Sequence, residues 1–208
     1  MEPQEWVARK ASSLSEHNSL NEHNSLSGPR IHADSMPSDE QSRMLAKTLL
    51  TPSSEPLNLF RVLVRYPELM KRVNALGGLF MVHGSLPVRE RELVILRVAW
   101  NSRCDYEFAQ HAPIGIRVGL SESQIEDLGQ PIHSGHWDES DLGLLRLTDE
   151  VMDSLEVSNE IWDLVSQSHD ENQMMELLML VGYYKMLAAF LKTVGVPLEE
   201  GCFGLPQR

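Results

Sequence analysis

Four side chains in the 208-residue chain could do chemistry together: Glu92, Cys104, Glu107 and His111. Cys104, Glu107 and His111 are spaced three and four apart, so on one helix they share a face and can converge. A thiol, a carboxyl and an imidazole in that arrangement could support thiolate chemistry, proton transfer or metal ligation. Cys104 follows the polar break Asn101-Ser102-Arg103, where unpaired backbone N–H groups and Arg103 favour a thiolate. Glu92 belongs to the preceding segment and reaches the others only if the break folds the two helices back on each other. The same residues also have plain structural readings, because buried cysteines are often inert packing and Glu107–His111 is an ordinary i, i+4 pair. Zinc is a poor match, since the spacing fits no familiar zinc pattern.

The elements that must position these residues read as helices. Ser38-Asp39-Glu40-Gln41 resembles a capping box for a helix to Leu50, and Thr51 to Pro56 breaks it. Further helices are expected over Leu57–Arg65, from Pro67 to near Gly84, over Val88–Trp100, over Cys104–Val118, and from Ser121 through Leu128. Three more follow near Glu139–Ser154, Ser158–Ser168 and Asp170–Val194. No stretch alternates with period two, so the fold class is all-α. Arg91–Leu96 and Met175–Leu180 echo each other at an offset of 84, which is compatible with a helical repeat or with chance.

Residues 1–38 are rich in Ser, Asn, Glu and His, nearly duplicate the five residues from Glu16 at Glu22, and read as a disordered tail. The folded domain is expected over 39–198, with a C-terminal tail at 199–208. The histidines of the N-terminal tail, and His133 with His136, lack the surroundings of a metal site.

Composition narrows the function classes. A net charge of -12 argues against nucleic-acid and anionic-membrane partners. Two distant cysteines point to a reducing compartment, no apolar run approaches the length of a membrane span, and the acid-containing N-terminus does not read as a transit peptide. These features together predict a cytoplasmic protein. Arg61 to Arg103 carries eight basic against three acidic residues, whereas Leu120 to Glu176 carries 15 acids against Arg146 alone. The two regions either pair with each other or leave an arginine free to hold an anionic substrate.

Leu86-Pro87-Val88-Arg89-Glu90-Arg91-Glu92-Leu93-Val94-Ile95-Leu96-Arg97, followed by Cys104-Asp105-Tyr106-Glu107-Phe108-Ala109-Gln110-His111, resembles the signature of the carboxymuconolactone decarboxylase family. That family lies within the all-helical alkylhydroperoxidase D (AhpD) superfamily. The resemblance implies an AhpD-like helical bundle with Glu92, Cys104 and His111 as catalytic residues, and the Met-rich and aliphatic helices of a small domain leave faces for assembly into a homo-oligomer. The peroxidase branch uses a Cys-x-x-Cys pair, but here Glu107 stands at the second cysteine, and Cys202 could replace it only if the C-terminal tail folds back. The decarboxylase branch needs no thiol pair, metal or organic cofactor. It implies a small, carboxylated lactone or carbonyl substrate, with His111 donating a proton at carbon and Glu92 orienting it. Tyr106, Glu107, Arg97 and His83 are the expected substrate-binding residues. The expected function is thus a cofactor-independent lyase or related proton-transfer enzyme. A thiol peroxidase using Cys104 and a non-catalytic helical oligomer are the alternatives.

Overall fold

Short polar side chains start the helices by accepting the N–H groups that a first helical turn leaves unpaired. In the computed structural model, which describes residues 28–33, 35–51 and 53–206, Ser38 caps α1 (Asp39–Leu45) and the isolated bridge Leu50–Pro56 follows it. The chain continues through α2 (Asn58–Leu63) and α3 (Pro67–Gly78), which has proline at its first turn and runs directly into a π-helical turn, Leu79–His83. Next come α4 (Val88–Asn101), α5 (Asp105–Arg117) and α6 (Glu122–Asp127), the last capped by Ser121. Asp138 caps α7 (Glu139–Ser154), Ser158 caps α8 (Asn159–Ser166) and Asp170 caps α9 (Glu171–Val194). Gly195, in the left-handed region at φ 74°, closes α9. The described residues contain no strand.

Helix α4 is the hub, packed against α5, α7 and α9. Every residue from Arg91 to Trp100 is buried, charged ones included, because neighbours cover the helix on most sides. Its charges are met by partners. Arg89 grips Asp141 through two bonds of 2.7 Å, and Arg97 grips Asp149 in the same manner. Both pairs have the same sequence offset of 52, so α4 and α7 run side by side in one direction. The basic and acidic regions of the sequence therefore pair within the chain.

Among the described residues α9 alone is long and apolar enough to cross a membrane, although Glu176 and Lys185 interrupt the apolar runs of its sequence. Half of that apolar window is buried against the rest of the chain. Met175, Met179 and Met186 are exposed along it. The tail read over 1–38 lies mostly outside the described residues. From its last part, the Arg30 N–H donates to the Val194 carbonyl at 2.7 Å and Ala33 packs on the core.

Candidate functional site

The reversal between α4 and α5 brings the four residues together. Arg103 takes the left-handed conformation at φ 52°, the Cys104 N–H donates to the Ala99 carbonyl, and α5 turns back along α4. His111 Nδ1 then lies 2.7 Å from Glu92 Oε2, across 19 residues of sequence. Glu92 is fully buried, and its other oxygen accepts two bonds from Arg91, from Nε at 2.9 Å and Nη2 at 2.8 Å. Arg91 Nη1 donates in turn to the Met81 carbonyl at 3.0 Å. That carbonyl lies in the π-helical turn, where wider winding alters the usual backbone pairing. Burial pushes the Glu92 carboxyl up, but His111 and then Arg91 outweigh it and hold the group below the usual carboxylate range. The imidazole also meets the Tyr184 ring edge-on, with centroids 5.0 Å apart.

On the other side of His111 lies a cavity of about 330 Å³. Its walls come from α2, α3, the π-helical turn, α5 and α9, and they are largely apolar: Leu59, Phe60, Val73, Met81, Leu187 and Leu191 contribute. Tyr106, Glu107, Gln110 and His111 enter from α5, and Tyr183 and Tyr184 from α9. Gly77 lines it beside Tyr183, and a Cβ there would stand 2.6 Å from the tyrosine oxygen, so glycine preserves the wall.

Glu107 is the unusual group. It is 3% exposed, and neither carboxyl oxygen has a hydrogen-bond partner, while the nearby Cys104 thiol acts against burial and lowers its pKa. Burial dominates and drives its pKa well above the ordinary carboxyl range, so the acid form persists where other carboxyls are ionised. The folded state thus holds a proton that the unfolded chain releases, and this contribution to stability falls as pH rises above the ordinary carboxyl range. Glu107→Gln, a neutral near-isostere, should flatten the decline in melting temperature with rising pH. An unchanged profile would show that Glu107 does not titrate in this way.

Cys104 does not behave as the sequence suggests. It sits at the N-cap of α5 with no solvent exposure, and burial, aided by Glu107, pushes its thiol up to about 12. Desolvation of the charged form outweighs the helix terminus, and the Arg103 guanidinium stacks 4.9 Å from the Trp100 ring centroid. Cys104 lies outside the cavity lining.

The geometry gathers Glu92, Tyr106, Glu107 and His111 but not Arg97 or His83. Arg97 is committed to Asp149 and to the Leu128 carbonyl, on a different side of α4, and His83 is exposed at the end of the π-helical turn. Neither lines the cavity. Tyr106 does, but its hydroxyl donates to Glu199 at 2.5 Å and accepts from the Leu59 N–H. Glu199 also accepts from Gln110 and from the Asn58 N–H, which pins the C-terminal segment across α5. Cys202 of that segment lies by Gln110, and both cysteines are free thiols. Sequence reasoning missed Arg91 as the partner of Glu92 and both tyrosines of α9. The signal for the latter was present, since adjacent tyrosines within an apolar helix need partners for their hydroxyls. Among the described residues no group of three His, Cys, Asp or Glu is arranged to hold a metal ion.

The fold is similar to that of AhpD-like helical proteins. Residues 67–130, which carry most of the site, match the model of the carboxymuconolactone decarboxylase family, so the resemblance read from the sequence holds over that segment. The fold is similar to that of an uncharacterised peroxidase-related protein from Silicibacter sp. TM1040, with a TM-score of 0.70, 14% identity and coverage of 85% of this chain and 96% of that one. It is also similar to an uncharacterised peroxidase-related protein with an AhpD core from Ralstonia eutropha JMP134, with a TM-score of 0.69, 13% identity and coverage of 78% and 87%. The debrominase Bmp8 aligns with a TM-score of 0.65, 12% identity and coverage of 86% and 94%, and one of its structures holds 2,3,4-tribromopyrrole. No curated protein matches the sequence significantly.

Proposed function

We propose that the protein is a proton-transfer enzyme acting on a small lactone or other carbonyl compound, with His111 as the group that moves the proton. The observation that carries this reading is the buried Glu92–His111 pair at the wall of an apolar cavity. With Nδ1 directed at Glu92, the ring presents Nε2 as its second nitrogen for substrate, and Glu92 stabilises the imidazolium formed when a proton is taken up. Arg91 keeps Glu92 ionised and aligned. Decarboxylation is one reaction this arrangement could serve, because loss of a carboxyl group beside a conjugated carbonyl also leaves an electron pair that must be protonated at carbon. The neighbouring fold that holds a tribromopyrrole supports a small planar ligand. Assembly into a homo-oligomer stays part of this reading, with the exposed methionine side of α9 available for it.

The test is exchange of solvent deuterium into enolisable ketones and lactones, followed by NMR with the purified protein. Catalysed exchange supports the reading, and its absence across such a panel overturns it.

The thiol-peroxidase alternative has less support because Cys104 is enclosed and held as a thiol. Dilute peroxide with a sulfenic-acid trap should therefore label Cys104 slowly and incompletely by mass spectrometry. Rapid, stoichiometric labelling would reverse the preference.

A further inference from the structure

Among the described residues five buried polar side chains line the cavity: Tyr106, Glu107, His111, Tyr183 and Tyr184. The three tyrosine hydroxyls already have acceptors. Tyr106 donates to Glu199, Tyr183 to the Val73 carbonyl at 2.9 Å, and Tyr184 to the Met81 sulfur at 3.4 Å. Glu107 and the Nε2 side of His111 remain for a ligand. An unpartnered carboxyl buried in apolar surroundings costs free energy unless something binds to it. Among the described residues the one lysine or arginine in the lining is Lys47, which is exposed, while Arg89, Arg91 and Arg97 are held by acids. A ligand carboxylate inside the cavity would therefore lose its hydration with no buried lysine or arginine to replace it, and His111 is already paired with Glu92.

We propose that the cavity selects uncharged carbonyl compounds, and that Glu107 is a catalytic residue whose carboxyl O–H donates to the substrate carbonyl oxygen. This rests on the proton-transfer reading above and replaces the expected anionic substrate with a neutral one. In the step it assists, His111 Nε2 takes a proton from the carbon next to the carbonyl. The C–H electron pair forms the carbon–carbon double bond of the enolate, and the carbonyl π pair moves onto oxygen, where the Glu107 O–H stabilises it. Return of the proton to carbon reverses the flow, with no oxidant or reductant required. Persistence of the acid form of Glu107 suits it to donate rather than accept. A carboxyl in place of a second cysteine thus supplies an electrophilic group to the cavity.

The experiment compares 2-indanone, an uncharged enolisable ketone, with indane-2-carboxylate by calorimetry. The ketone is expected to bind at least about tenfold more tightly. Infrared difference spectra with carbonyl-labelled 2-indanone should show the C=O stretch lowered on binding, with the shift lost in Glu107→Leu and partly kept in Glu107→Gln, whose amide still donates. His111→Gln should keep both the binding and the shift while losing deuterium exchange, which separates failure of proton transfer from failure of this proposal. Carboxylate binding as tight as that of the ketone, no ketone binding by the folded protein, or a shift that survives in Glu107→Leu would each overturn it. If Glu107→Leu does not fold, Glu107→Gln carries the test: its shift must differ from that of the wild type.

Discussion

His111→Gln is expected to lower proton-transfer turnover by about a hundredfold or more, because the amide preserves size and hydrogen bonding but has no group that titrates near neutrality. The effect should fall on the exchange rate rather than on binding, since the ring forms one part of an otherwise intact cavity wall. Glu92→Gln should give a smaller loss. It leaves an acceptor for Nδ1 but removes the charge that favours the imidazolium. Solvent-deuterium exchange rates of the two variants, measured with a saturating ketone, check the order. Wild-type exchange in His111→Gln would remove His111 from the mechanism.

Arg91→Met is expected to have the largest effect on folding, about 3–5 kcal/mol, because it strips a fully buried carboxylate of its cation. Two donated bonds to Glu92 Oε1 disappear, together with those to the Phe80 and Met81 carbonyls. The π-helical turn that forms one cavity wall loses its anchor at the same time. The wild-type Glu92 contribution has a definite sign with pH. Its folded-state pKa is depressed, so its stabilisation is present above the ordinary carboxyl pKa and fades as pH falls through the lowered value. Chemical denaturation of Arg91→Met, Glu92→Gln and the double variant measures the coupling. If Arg91→Met costs less than about 1 kcal/mol, Arg91 does not hold the site together.

The helices and the site were legible in the sequence to different degrees. Helix starts are governed by contacts three residues away, so Ser38 with Gln41 and Ser121 with Gln124 could be read directly, and the structure shows both capping boxes. The face shared by Glu107 and His111 is equally local, since helical geometry alone sets an i, i+4 spacing. The resemblance over residues 86–128 placed Glu92 with them, and in the structure Glu92 Oε2 lies 2.7 Å from His111 Nδ1.

The sequence did not reveal which charges meet. Eight basic residues between Arg61 and Arg103 look interchangeable in composition, yet packing gives Arg89 to Asp141, Arg91 to Glu92 and Arg97 to Asp149. That choice depends on the direction and proximity of α4 and α7, helices separated by dozens of residues. It removes Arg97 from the substrate site. The protonation states of Cys104 and Glu107 were likewise decided by burial. A helix terminus favours a thiolate locally, but complete enclosure opposes the charged form more strongly, and the same enclosure keeps Glu107 an acid. Local spacing thus determined which side chains could share a helix face, and tertiary structure decided their partners, solvation and charge, because each of those depends on what the rest of the chain places around them.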